Sequence, residues 1–127
     1  GAAIQPAKKV LELIPGNPVF PHQAYTTIGL ASIRKGDRKK AIEMLSASMG
    51  DDFKGFVTAK NIDFELVEAL LKRGAGAPAC RSFLLKAKAF AEATREPPYI
   101  KLLDRMLAAF DQEFPAAAAA PAQEPKT

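Results

Sequence analysis

Apolar positions recur at helical spacing through most of the chain, and glycine and proline punctuate them at intervals that suit short helical hairpins. From His22 to Lys35 the positions Tyr25, Ile28 and Ile33, with the small Gly29 and Ala31, predict a helix that Gly36 stops. Asp37 is placed to cap the next helix, in which Ala41, Ile42, Met44, Leu45 and Met49 recur until Gly50. An antiparallel hairpin follows from this pair. The segment Asp51 to Lys60 is polar around Phe53, Phe56 and Val57 and reads as a connector whose aromatics fold back onto the domain. A third helix is expected to open at Asn61 or Asp63 and to bury Ile62, Phe64, Leu66, Val67, Leu70 and Leu71 nearly all round. It ends at Gly74-Ala75-Gly76. Pro78 then suits the first turn of a fourth helix through Cys80, Phe83, Leu84, Ala87 and Phe90 to about Thr94. Pro97 and Pro98 start a fifth, whose stripe of Tyr99, Leu103, Met106 and Phe110, with Ile100, Leu107 and Phe114, faces inward and whose charged face meets water.

The pattern divides the chain into a proline-rich lead-in over residues 1–21, a helical domain over 22–114 and a Pro/Ala-rich tail over 115–127. The tail is expected to be flexible, or to prolong the fifth helix if Pro115 only kinks it. The lead-in has room for two helical turns around Ala7 to Leu13.

An internal repeat underlies the hairpins. Gly36 and Gly74 lie 38 residues apart, and Ile28 and Leu66, Ala41 and Ala79, and Leu45 and Phe83 keep the same offset. The run Ala24-Tyr25-Thr26-Thr27-Ile28-Gly29, followed by Arg34-Lys35-Gly36-Asp37 and Ala41-Ile42-Glu43, resembles the tetratricopeptide repeat family. The second copy, Asn61 to Thr94, departs from that pattern: Asp63 stands for the aromatic, Val67 for a small residue and Lys86 for the late small residue. Its spacing also exceeds the family's usual 34 or so residues. Leu11 to Pro18 is similar to the end of a further repeat, which makes the lead-in a candidate remnant. The resemblance implies an all-α protein, its antiparallel hairpins stacked as a short α-solenoid with a C-terminal capping helix. It also implies a non-catalytic module that binds a protein or peptide in the groove lined by the first helix of each repeat. Carried over position by position, that groove would present Gln23, Thr26, Leu30 and Arg34 from the first copy and Asn61, Phe64, Glu68 and Lys72 from the second. Leu30 and Phe64 have two readings there, as grips for an apolar side chain or as core.

Composition adds bounds. At 127 residues, 48% apolar and 25% charged, the chain suits a single core. No run approaches the roughly 18 to 20 apolar residues of a membrane span, so a soluble protein is expected, in the cytoplasm or, after removal of a signal, in the periplasm or outside the cell. Cys80 and His22 are the only residues of their kinds, which excludes an internal disulfide and leaves little for a metal site. No nucleophile has a base and an orienting group in recognisable spacing, Asp51-Asp52 lacks the further oxygens of a calcium loop, and Gly74-Ala75-Gly76 is not a dinucleotide fingerprint. The expectation is therefore no enzyme and no cofactor.

The net charge of +4 is unevenly placed. Residues 50–71 hold five acids against Lys54 and Lys60, whereas Lys72, Arg73, Arg81, Lys86 and Lys88 follow with no acid among them. The inter-helix turns collect Arg34, Lys35, Arg38, Lys39 and Lys40 at the first and Lys72, Arg73 and Arg81 at the second. Stacked hairpins would bring such turns along one rim. That rim either solvates helix ends or forms an edge for phosphate or acidic segments, so nucleic acid is the alternative partner.

Overall fold

The structure is a computed structural model, which describes residues 19–119. The expected turns around Ala7 to Leu13 and the tail beyond Ala119 lie outside the described residues. Within them the fold is all-α: α1 (Val19–Arg34), α2 (Arg38–Ser48), a single 3-10 turn (Ala59–Asn61), α3 (Glu65–Lys72), α4 (Ala77–Ala93), α5 (Pro97–Glu113) and α6 (Pro115–Ala119). The first helix begins three residues before His22, because Pro21 falls in its opening turn, where no backbone N–H is needed. The boundary expected at residue 22 moves accordingly. Pro115 does not end the helical run either, since α6 follows α5 after the single non-helical Phe114.

Helices α1 and α3 end in the same way. Gly36 adopts φ +82° and Gly74 φ +64°, the left-handed conformation that closes a helix. The Asp37 N–H donates to the Ser32 carbonyl at 2.8 Å and the Gly36 N–H to the Ile33 carbonyl at 2.9 Å. Thirty-eight residues further on, Ala75 donates to Leu70 and Gly74 to Leu71, both at 3.0 Å. Asp37 caps α2 by accepting from the Lys40 N–H at 3.0 Å. Of the paired positions, Ile28 and Leu66, and Leu45 and Phe83, are buried in both copies, while Ala41 is buried and Ala79 only half-buried.

Helices α1 and α2 form a close hairpin, α3 lies against α1 and α2, and α4 packs on α2 and α3. α5 packs mainly on α4, and α6 returns over α4 and α5. One continuous core runs from Ile33 to Phe110 through Leu45, Leu66, Leu70, Phe83, Leu84 and Leu103. Gly29 is a point of close approach between α1 and α3: a Cβ there would stand 2.5 Å from Leu66 Cδ2.

Helix α3 is shorter than the pattern predicts, starting at Glu65 rather than at Asn61 or Asp63. The residues before it are held by other groups. The Asp63 N–H donates to His22 Nε2 at 2.8 Å, and the Asp63 carboxylate accepts from the Glu65 N–H at 2.8 Å, so the chain enters the helix late. The connector aromatics do fold inward as expected. Phe53 takes φ +65°, a conformation rare for a side chain of this size, and is fully buried against Phe56, Phe83 and Phe90. Glu96, just before α5, accepts hydrogen bonds from the Thr58 hydroxyl, from the Ala59 N–H at 2.8 Å and from the Thr94 hydroxyl at 2.5 Å. Those bonds, with Thr58 first, hold its carboxyl below the usual carboxylate range and fasten the 3-10 turn to the α4–α5 corner.

Candidate functional site

The eight positions expected to line a groove on α1 and α3 are not all presented there. Thr26 is buried, its hydroxyl donating to the His22 carbonyl at 2.9 Å, which removes it from any docking surface. Leu30 is half-buried against the core, and Phe64 stands edge-on to Phe83 with ring centres 5.8 Å apart. Asn61 belongs to the 3-10 turn and is half-buried. Gln23, Arg34, Glu68 and Lys72 are exposed. The close approach of Gly29 to Leu66 brings α1 and α3 together, leaving little space between them at that point.

An apolar trough opens one helix further on, between α3 and α5. Val67, Leu84 and Phe110 are buried at its floor, Leu71, Met106 and Phe114 form half-buried walls, and Glu68 and Glu113 stand exposed at its rim. It encloses about 180 Å³, enough for one large apolar side chain. Glu68 is the one expected groove residue that the fold places here, with Lys72 a turn beyond it on α3. The other lining residues were visible only as core-type positions, because a half-buried helical stripe carries the same pattern whether it is covered or open.

A second cleft, of about 360 Å³, lies at the opposite end of α1 and is bordered by Pro21, Tyr25, Met49, Asp51, Lys54 and Phe56. His22 closes its inner wall. Because the Asp63 N–H donates to Nε2, that nitrogen is the unprotonated one, and Nδ1–H donates to the Ser48 carbonyl at 3.0 Å. The ring also meets Phe56 edge-on at 5.3 Å and Phe53 at 6.0 Å. Burial lowers its pKa from the ordinary 6.5 against the weaker opposing pull of the Ser48 carbonyl and Asp63. Both nitrogens are engaged, so the ring is a structural pin and offers no free base. Cys80 is fully buried, with Sγ 4.0 Å from the Val67 carbonyl, and burial pushes its thiol up to about 12. At neutral pH it is a protonated apolar group. Among the described residues no three His, Cys, Asp or Glu side chains are gathered as metal ligands, and no helix is long and apolar enough to cross a membrane.

The expected basic rim separates into two parts. Arg81 is drawn to α5, where its Nε and Nη2 donate to the two oxygens of Asp111 at 3.0 and 3.4 Å. On the same helix Lys86 pairs with Asp52 at 2.8 Å and Lys88 with Asp104 at 2.6 Å, so the cations of α4 fasten neighbouring elements. Lys35, Arg38, Lys39 and Arg73 are exposed and Lys40 is half-exposed, as the helical turns place them. The two turns are neighbours: a Cβ on Gly76 would stand 2.8 Å from Ile42 Cγ1, one turn into α2 from Arg38.

Compared with protein-family models, with curated proteins and with solved structures, the chain matches none of the three. The functional reading rests on the side chains alone.

Proposed function

We propose that this chain is a non-catalytic interaction module, built as a short stack of tetratricopeptide-like hairpins with α5 as its capping helix, that receives a peptide segment of a protein partner. The trough between α3 and α5 carries the reading. Its floor is apolar and its walls, Leu71, Met106 and Phe114, are only half-buried, which favours a side chain such as Leu, Met or Phe from outside. The carboxylates of Glu68 and Glu113 on its rim favour a ligand with Lys or Arg beside that apolar residue. The repeated turn at Gly36 and Gly74 supports the stacked-hairpin arrangement. The engagement of His22 and Cys80 in packing supports a scaffold over a catalyst.

Selection from a random peptide library tests this. Enriched sequences should pair a large apolar residue with a neighbouring Lys or Arg. Reversing both rim charges, Glu68→Lys with Glu113→Lys, should weaken the selected peptides about 2- to 30-fold, the equivalent of two exposed ion pairs at roughly 0.2–1 kcal/mol each. Peptides that bind the doubly reversed protein with unchanged affinity, or a library that yields no enrichment, would refute the proposal.

A further inference from the structure

Seven cations lie at or beside the two inter-helix turns, which the approach of Gly76 to Ile42 brings near each other: Arg34, Lys35, Arg38, Lys39, Lys40, Lys72 and Arg73. We infer that this edge is a docking surface for the phosphodiester backbone of a nucleic acid, bound without regard to sequence.

Three observations carry the assignment. First, the cations on α4 all meet carboxylates of other elements, whereas none of these seven has a carboxylate partner among the described residues. Second, the helix dipole accounts for only part of the cluster. Arg34 and Lys72 lie in the last turns of α1 and α3, where cations offset the negative end, and Lys35 and Arg73 follow directly. Arg38, Lys39 and Lys40 occupy the first turn of α2, the end at which cations are disfavoured, with the N-cap Asp37 as the one acid beside them. One capping carboxylate against three cations leaves this end of α2 positive, a charge that an external anion would offset. Third, the edge has no apolar anchor. The large hydrophobic side chains that are exposed, Phe20, Val57 and Leu85, all lie outside residues 34–40 and 72–76. A protein partner draws affinity from buried aromatic or aliphatic anchors, whereas a polyphosphate draws it from counterion release alone. Contacts of Lys and Arg with phosphates carry no sequence information directly, and no exposed aromatic lies within this edge to stack on bases.

The experiment measures fluorescence anisotropy of a short labelled DNA duplex of mixed sequence across a salt series. Binding should be measurable at low salt and fall with a log–log slope of about −4 to −6, as for four to seven phosphate contacts. The variant Arg38→Glu/Lys39→Glu/Arg73→Glu should weaken binding about tenfold or more and flatten that slope by about one for each phosphate left without its cation. The charge-matched variant Lys54→Glu/Lys60→Glu/Lys101→Glu alters exposed residues elsewhere and should bind nearly as the parent does. All six positions are exposed, and far-ultraviolet circular dichroism verifies that both variants remain helical. Three results overturn the inference: no binding by the parent protein at low salt, equal losses in the two variants, or displacement of the duplex by polyglutamate at the same charge concentration as effectively as by unlabelled duplex. The last would assign the edge to an acidic protein segment. The trough variant Glu68→Lys/Glu113→Lys leaves the edge cations in place, so loss of peptide binding and loss of duplex binding are read separately.

Discussion

Replacing Gly29 by alanine sets two opposing effects against each other, and the structure decides the sign. Position 29 lies in the middle of α1, where alanine in place of glycine favours the helix by about 1 kcal/mol. The added methyl would meet Leu66 Cδ2 at 2.5 Å and Cδ1 at 3.0 Å, against ordinary carbon contacts of about 3.5–4.0 Å. Leu66 is fully buried, so its methyl groups can turn aside only against packed neighbours. Overpacking of this kind costs about 1–3 kcal/mol, which leaves Gly29→Ala less stable by about 0–2 kcal/mol once the helix gain is subtracted. Leu66→Ala alone should cost about 2–5 kcal/mol through the cavity it leaves. In the double variant the new methyl at 29 occupies part of that cavity, so the combined loss should fall short of the sum by about 1 kcal/mol. Urea unfolding followed by far-ultraviolet circular dichroism gives all four values. A Gly29→Ala protein about 1 kcal/mol more stable than the parent, as helix propensity alone dictates, would refute the close approach of α1 and α3.

Two further outcomes test the buried groups. His22 has a folded-state pKa below its unfolded value of 6.5, chiefly through burial, so the unfolded chain binds the extra proton first. Stability due to this residue is complete above that pH and declines below it, by up to about 1.4 kcal/mol per pH unit until the folded-state value is reached. Urea unfolding at pH 7.5 and 5.5 should show the decline in the parent and a shallower one in His22→Gln; equal pH dependence in both would contradict the pinned neutral ring. Cys80, with its thiol pushed up to about 12 in the core, should react with a thiol reagent at neutral pH only as the protein opens. Labelling should run about 1,000-fold or more slower than in urea, and a rate close to that of the unfolded chain would place the thiol at the surface.

The elements that the sequence discloses are those set by local chemistry. Gly36 and Gly74 mark helix ends because a left-handed residue is needed there, Asp37 marks a start because its carboxylate reaches the Lys40 N–H, and Pro97 opens α5 from its first turn. What the pattern misses depends on partners distant in sequence. The late start of α3 depends on a ring 41 residues away, at His22. The role of Glu96 depends on Thr58 and Ala59, and the loss of Arg81 from the basic rim depends on Asp111. Each of these residues carries an ordinary surface or capping signal in its own segment, and only the packing of helices chooses among the meanings.

The candidate site follows from a difference between Gly29 and Val67, 38 residues apart. The first admits a neighbouring helix and the second carries a branched side chain. At Gly29 the absence of a Cβ lets Leu66 press directly onto α1. At Val67 the backbone is covered by a side chain at the base of the trough, and α5 takes most of its packing from α4 instead. The shortness of α3 acts in the same direction, because eight residues offer fewer than three turns on which a further helix could lie. The branched side chain at 67 is thus coupled to the opening between α3 and α5. Of the residues expected in a groove across α1 and α3, Glu68 is the one that borders this opening.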